Sequence, residues 1–234
     1  MGASPARRDA DAAVLLAALQ HADSFFPAGG IAFSCGLETL RADGLLPGPE
    51  DVARLVESQL AQRWAVCDRA ALVAAYRAAD DLARLCAIDR EVEAMTLAFE
   101  MREGSRRGGT SLLTVHERLG TAGAAQMRAA VRAGAAFGHL PVVQGLVWRN
   151  VGLTEGACEA VAAHTFCVGL VGAALRLGVL GHLHGQQILT QARAAAAELL
   201  AVPAPALEEI YTCTFAAEIA VMRHEVQVSR LFAN

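Results

Sequence analysis

Apolar residues recur at intervals of three and four along nearly the whole chain, and no two stretches alternate so as to pair into a hairpin. That pattern commits the chain to helices packed on helices. Alanine reinforces it, because it favours helix at every position it occupies while adding little transfer energy. Hydrophobic residues make up 54% of the 234 positions and charged ones 19%, so the chain can bury a core and is not of disordered composition. Aromatics, at 5%, are too few to carry a β-rich core.

Breakers and caps divide the pattern into segments. Residues 9–22 read as a first amphipathic helix, with Val14, Leu15 and Leu19 on one face. Pro27, Gly29 and Gly30 end it. A short helix follows Ser34, its candidate N-cap, and stops near Gly44. Pro49, Glu50 and Asp51 suit a helical first turn, and Val52, Leu55, Val56 and Leu60 then point toward Trp64. Residues 80–103 read as one long helix, punctuated by Ser105 to Gly109. Further helices fall at 111–119, 122–137, 142–151, 155–177 and 186–200, with a last one from Leu207 toward Arg223. No repeat, linker or charge block splits the chain. The expectation is an all-α single-domain bundle of about ten helices over residues 1–234, its first ten residues flexible and the helix around 166–175 at its centre.

Lysine is absent; all twenty basic residues are arginine. A phosphate-binding P-loop and lysine Schiff-base chemistry are therefore excluded, and any nucleotide-dependent step belongs to another chain. Basic contacts here would be planar arginine–carboxylate pairs. A net charge of −4 argues against broad nucleic-acid or anionic-membrane binding. Residues 14–19 are too short for a secretory core, and the apolar run 165–175 stops at Arg176, short of the ~18 residues of a membrane span. The six cysteines, at 35, 67, 86, 158, 167 and 213, form no CxxC pair and fit reduced, buried thiols in the cytoplasm better than a disulfide scaffold.

Reactive constellations are few. His182 and His184 form an HxH pair that offers two imidazoles to a metal but lacks a third ligand at fixed spacing; a structural role at a helix start is the competing reading. His116-Glu117 and His224-Glu225 begin like HExxH, but Gly120 and Val228 stand at the second histidine position. There is no GxSxG elbow and no cysteine in an electropositive motif. Pro27 to Gly30 reads as a tight turn rather than a phosphate loop, and Gly134 with Gly138 as a helix-packing pair.

The closing segment differs. Residues 222–234 read MRHEVQVSRLFAN, with arginines flanking a large apolar pair, which are the ingredients of an interface hot spot; the alternative is a plain helix docked on its own bundle. This string resembles the closing motif of the UreF family of urease accessory proteins. A second match is ADSFFPAGG at 22–30 leading into SCGLE at 34–38, and three more are REGSR at 102–106, HLPVV at 139–143 and the stretch from Arg176-Leu177-Gly178 to Gly185-Gln186. Together they span about residues 15 to 233 in the family's order. The sequence departs from the family pattern at Ile31, Phe33, Cys35, Val228 (where the family has tyrosine) and Asn234.

The resemblance implies a non-enzymatic scaffold, without cofactor or resident metal, that helps install the nickel centre of urease. It implies a homodimer that binds UreD (also called UreH), recruits the GTPase UreG and so serves apo-urease. By position, Arg230 is the first choice for UreG recruitment. Arg223, His224, Glu225, Gln227 and Ser229, closed by Leu231 and Phe232, make up the partner-binding segment. Ser24, Pro27, Gly29, Ser34, Gly36 and Glu38 form the N-terminal motif, with Glu38 free to pair with an arginine. Two other classes compete: a small-molecule-binding helical regulator using the 27–30 turn and a central pocket, and a metal-dependent enzyme built on His182 and His184.

Overall fold

Capping chemistry places several helix starts where the sequence puts them. The computed structural model describes residues 5–27, 34–227 and 231–232, with side chains from residue 11. Helix α1 spans Pro5–Ala22, α2 Leu37–Ala42 and α3 Pro49–Gln59. In α3 the Gly48 amide donates to Asp51 Oδ2 at 3.0 Å and Pro49 opens the first turn, where its missing N–H costs nothing. A π-helical segment, Leu60–Asp68, carries α3 without a break into α4, Arg69–Arg77. Helices α5 (Leu82–Met95), α6 (Phe99–Arg118), α7 (Ala124–Arg132) and α8 (Leu140–Asn150) follow. Then come α9 (Glu155–Arg176), α10 (His182–Leu200) and α11 (Phe215–His224), with one 3-10 turn at Leu207–Glu209. Asp81 Oδ1 caps α5 by accepting from the Arg84 amide, and Thr154 Oγ1 caps α9 by accepting from Ala157. No strand occurs among the described residues, and the fold is an all-α single domain.

The core forms around α9, which packs on α1, α3, α4, α8 and α10. Its Cys158, Cys167, Leu170 and Val171 are buried, as are Val52, Val56, Leu60 and Trp64 from the α3–π rod. Each fully buried leucine contributes roughly 2 kcal/mol of transfer free energy. Helix α9 is also long and apolar enough to cross a membrane by length and composition, but more than half of its apolar window lies inside the fold, as a central helix requires. Helix α4 packs closely along α8. Gly145 permits it: a Cβ there would lie 2.4 Å from the Leu72 carbonyl oxygen.

Several sequence expectations shift. The helix read at 80–103 is two, because the chain extends at Thr96 and Ala98, where the Arg102 guanidinium takes the freed carbonyls of Thr96 and Leu97 at 2.7 Å. Ser105 to Gly109 does not break α6 but lies inside it. The glycine is there for space, since a Cβ at Gly109 would collide with the Gly138 carbonyl oxygen at 1.9 Å. The last helix begins at Phe215, not Leu207, after a stretch of extended chain. Ser34 does not cap α2: Gly36, left-handed at φ +87°, holds the N-cap position, and Ser34 is buried ahead of it. On α1 the packed side chains are Ala17, Ala18 and His21, while Leu15 and Leu19 face outward with Leu16.

Two carboxylates, one fully buried and one partly buried, explain why the internal motifs hold together. Asp89, fully buried, accepts the backbone N–H groups of Phe137, Gly138 and His139, fixing the turn into α8. Glu93 accepts from Arg106 Nε at 3.0 Å and from His139 Nε2 at 2.8 Å. Burial pushes the Glu93 carboxyl up, yet these two partners outweigh it and hold it below its ordinary value. Ser105 Oγ then accepts the Leu140 amide at 3.1 Å. The REGSR and HLP stretches are thus one structural knot.

Candidate functional site

Helix α11 brings the closing segment against α2, and Gly36 makes the approach possible. A Cβ on Gly36 would sit 2.8 Å from the Ala217 carbonyl oxygen, and its backbone is left-handed besides. Several polar links form across this contact. Arg223 reaches Asp43 through both terminal nitrogens, at 2.5 and 3.0 Å. Gln227 Nε2 donates to the buried Thr39 Oγ1 at 3.0 Å. His224 is fully buried, with Nε2 3.1 Å from Glu38 Oε2 and Nδ1 2.8 Å from Glu100 Oε2 on α6. Glu38 also accepts the Leu231 amide at 2.7 Å and the Phe232 amide at 3.1 Å. Among the described residues the partners of Glu38 are a histidine and two main-chain donors, not the arginine expected, and the arginine that α11 brings to this end of α2, Arg223, pairs with Asp43 instead. Phe232 is buried and carries the Arg176 guanidinium over its ring at 4.4 Å.

The N-terminal motif divides. Glu38 and Gly36 join this clasp, whereas Ser24 and Pro27 lie exposed in the turn after α1. Asp23 Oδ1 accepts the Phe25 amide there, and Phe25 is exposed. Glu225 and Leu231 point outward from the closing segment. Gly29, Ser229 and Arg230, with Phe33 and Val228, lie outside the described residues. Thr39, Asp43 and Glu100 were missed by sequence reasoning. Glu100 precedes the REGSR stretch and Asp43 ends the SCGLE helix, so adjacency to motifs was the available signal.

Outside the clasp, α11 shows an apolar face. Phe215, Ile219, Met222 and Val226 fall at spacings of four, three and four and are all exposed, Val226 at 83%. Leu231, Leu97 and Phe99 are exposed as well. The opposite face, with Ala217, Ala220, Val221 and His224, is the buried one.

Behind the clasp lies a cavity of about 210 Å³, to which Glu100, Arg63, Asp68, His21, Trp64 and Trp148 contribute. Arg63 stands 3.6 Å from Asp68; burial opposes its charge most strongly, but Asp68 together with Cys67, Cys35 and Glu218 outweighs that and raises its pKa. Burial likewise pushes Asp68 up, against the pull of Arg63. His21 Nδ1 donates to the Ala17 carbonyl at 2.7 Å, leaving Nε2 buried and, among the described residues, without a partner, as is Trp148 Nε1. The buried thiols are inert: burial pushes Cys67 and Cys158 to about 12 and Cys167 to about 11. His182 and His184 are exposed on the first turn of α10, and no group of three or more metal-ligating side chains occurs among the described residues.

In class, then, the molecule is an all-α bundle protein in which motifs far apart in sequence meet at one end of the fold. The UreF family model matches residues 47–193. The urease accessory protein UreF of Trichodesmium erythraeum is 34% identical over 97% of this chain and 99% of its own length. Those of Haemophilus influenzae strain PittGG and Actinobacillus pleuropneumoniae are 31% and 32% identical, each over 94% of this chain and over 95% and 99% of their own lengths. The chain belongs to the UreF family of urease accessory proteins.

Proposed function

We propose that this urease accessory protein is a non-catalytic scaffold for delivery of nickel to apo-urease, acting in the cytoplasm as a homodimer that binds UreD and recruits the GTPase UreG. The observation that carries the reading is the exposed apolar face of α11 lying beside a closing segment anchored by Glu38, Asp43 and Thr39. An apolar stripe on the surface with arginines at its edge is the pattern of a contact face. That face adjoins the partner-binding segment 222–234, and UreD covers it. Arg230 then points the assembly toward UreG. Nickel is cargo here. The lysine-free chain has no P-loop, which fits the GTPase being a separate protein.

Co-expression with UreD and UreG followed by size-exclusion chromatography tests this. Arg230→Ala is expected to retain UreD and lose UreG; equal loss of both would reject the division of labour. The cavity supports a second reading, a small-molecule-binding regulator, because its wall holds buried ring nitrogens with unused hydrogen-bonding capacity. A large thermal shift of the isolated chain with small polar ligands would favour that reading over the scaffold.

A further inference from the structure

The bond count at His224 does not close without an extra proton. Both ring nitrogens face carboxylate oxygens, Nδ1 toward Glu100 at 2.8 Å and Nε2 toward Glu38 at 3.1 Å. A neutral imidazole has one N–H, and a carboxylate has none. With the ring neutral and both acids ionised, one of these two contacts would set a nitrogen lone pair against an anionic oxygen. One additional proton, on the ring or shared with a carboxyl, turns both contacts into hydrogen bonds.

Resting on the reading of residues 222–234 as the partner-binding segment, we propose that the docking of its Leu231 and Phe232 is gated by this proton: the Glu38–His224–Glu100 triad holds these two residues while protonated and releases them on deprotonation.

The surroundings bring the effect to Glu38. That carboxylate accepts the Leu231 and Phe232 amides, so any turn of Glu38 away from His224 takes the anchor of the closing segment with it. Neighbouring charges are engaged elsewhere. On α2, Asp43 is occupied by Arg223. On α6, Arg102 is held by the Thr96 and Leu97 carbonyls and lies near Glu93. On α11, Glu218 accepts from Thr214 and Glu225 is exposed. From the π segment Arg63 faces Asp68 and Met101, and from α9 Arg176 covers Phe232. His224 is the one basic side chain, among the described residues, in contact with Glu38. The ring itself is buried, but Glu100 lines the cavity, which gives water and protons a path to the triad.

The test uses amide hydrogen exchange of the full isolated chain at about pH 6 and about pH 8.5, with protection corrected for intrinsic exchange rates. Protection of the Leu231 and Phe232 amides is expected to fall about tenfold or more at the higher pH, while α9 amides hold. Glu100→Gln offers an amide N–H to Nδ1 and lets a neutral ring donate to Glu38, so it should keep the segment docked at both pH values. His224→Gln should leave it weakly protected at both. Equal wild-type protection at the two pH values, or an undiminished fall in Glu100→Gln, would overturn the proposal. Should Glu100→Gln not fold, an NMR titration of the His224 ring in the wild type decides: a transition coincident with the loss of protection supports the gate, and its absence at that pH refutes it. Partner capture is read separately. A proton-gated segment whose deletion leaves UreD binding intact removes the interface reading but not the gate, and the reverse result removes the gate alone.

Discussion

A stacked pair of buried histidines sets how this protein responds to acid. His21 and His116 lie with ring centroids 5.3 Å apart beside Trp148. Burial, with a further push from His21, takes His116 down to about 4, and burial lowers His21 despite its bond to Ala17. Both rings are neutral in the fold, while the unfolded chain protonates them nearer 6.5. The stabilisation they allow is present above that value and is lost as pH falls toward 4, amounting to up to about 3 kcal/mol for His116. The Tm is expected to drop between pH 7 and 5, and His116→Gln to flatten the drop; an identical profile in the variant would contradict this. At this scale the sequence revealed residue types but not partners. Of the six cysteines read as buried thiols, Cys67, Cys86, Cys158 and Cys167 are buried on the helices that carry them, but Cys35 is half-buried and Cys213 is exposed on the extended chain before α11. The partner of Glu38 was hidden because His224 lies 186 positions away and only the packing of α11 on α2 joins them.

Helix starts were legible at Pro49 and, to within two residues, at 80 and 155, where α3, α5 and α9 begin. Helix boundaries were not legible where glycine serves close packing instead of chain breaking. Gly109 looked like punctuation beside Gly108, yet it exists to let the Gly138 carbonyl approach α6. The opposite failure is the 80–103 segment, where side-chain periodicity continues through a break that Arg102 stabilises from the far side. Gly36 joins the two lessons, being both the left-handed cap of α2 and the point of contact with Ala217. Gly36→Ala must strain the backbone and push α11 away, at a cost of roughly 2–4 kcal/mol. Thermal unfolding should show the loss, and exchange should show the Leu231 and Phe232 amides deprotected. A variant as stable as the wild type with both amides protected would mean the contact is looser than the structure shows.

For the whole molecule, the family motifs sort into two groups by what they do in the fold. REGSR and HLP build an internal knot around Asp89 and Glu93, so their pattern reports stability. SCGLE, Arg176 and the closing segment converge on one end and leave an apolar helix face beside them uncovered. The sequence made the bundle and its closing motif legible. It did not reveal the clasp, which depends on three helices meeting. The central claim is that residues 222–234 act by contact with other proteins and not by chemistry. Its most direct test is deletion of residues 229–234, followed by size-exclusion chromatography of the chain mixed with UreD and UreG. The truncated chain should elute folded, with an unchanged helical spectrum, and should fail to enter the assembly that the full chain forms. Assembly undiminished by the deletion would contradict the account.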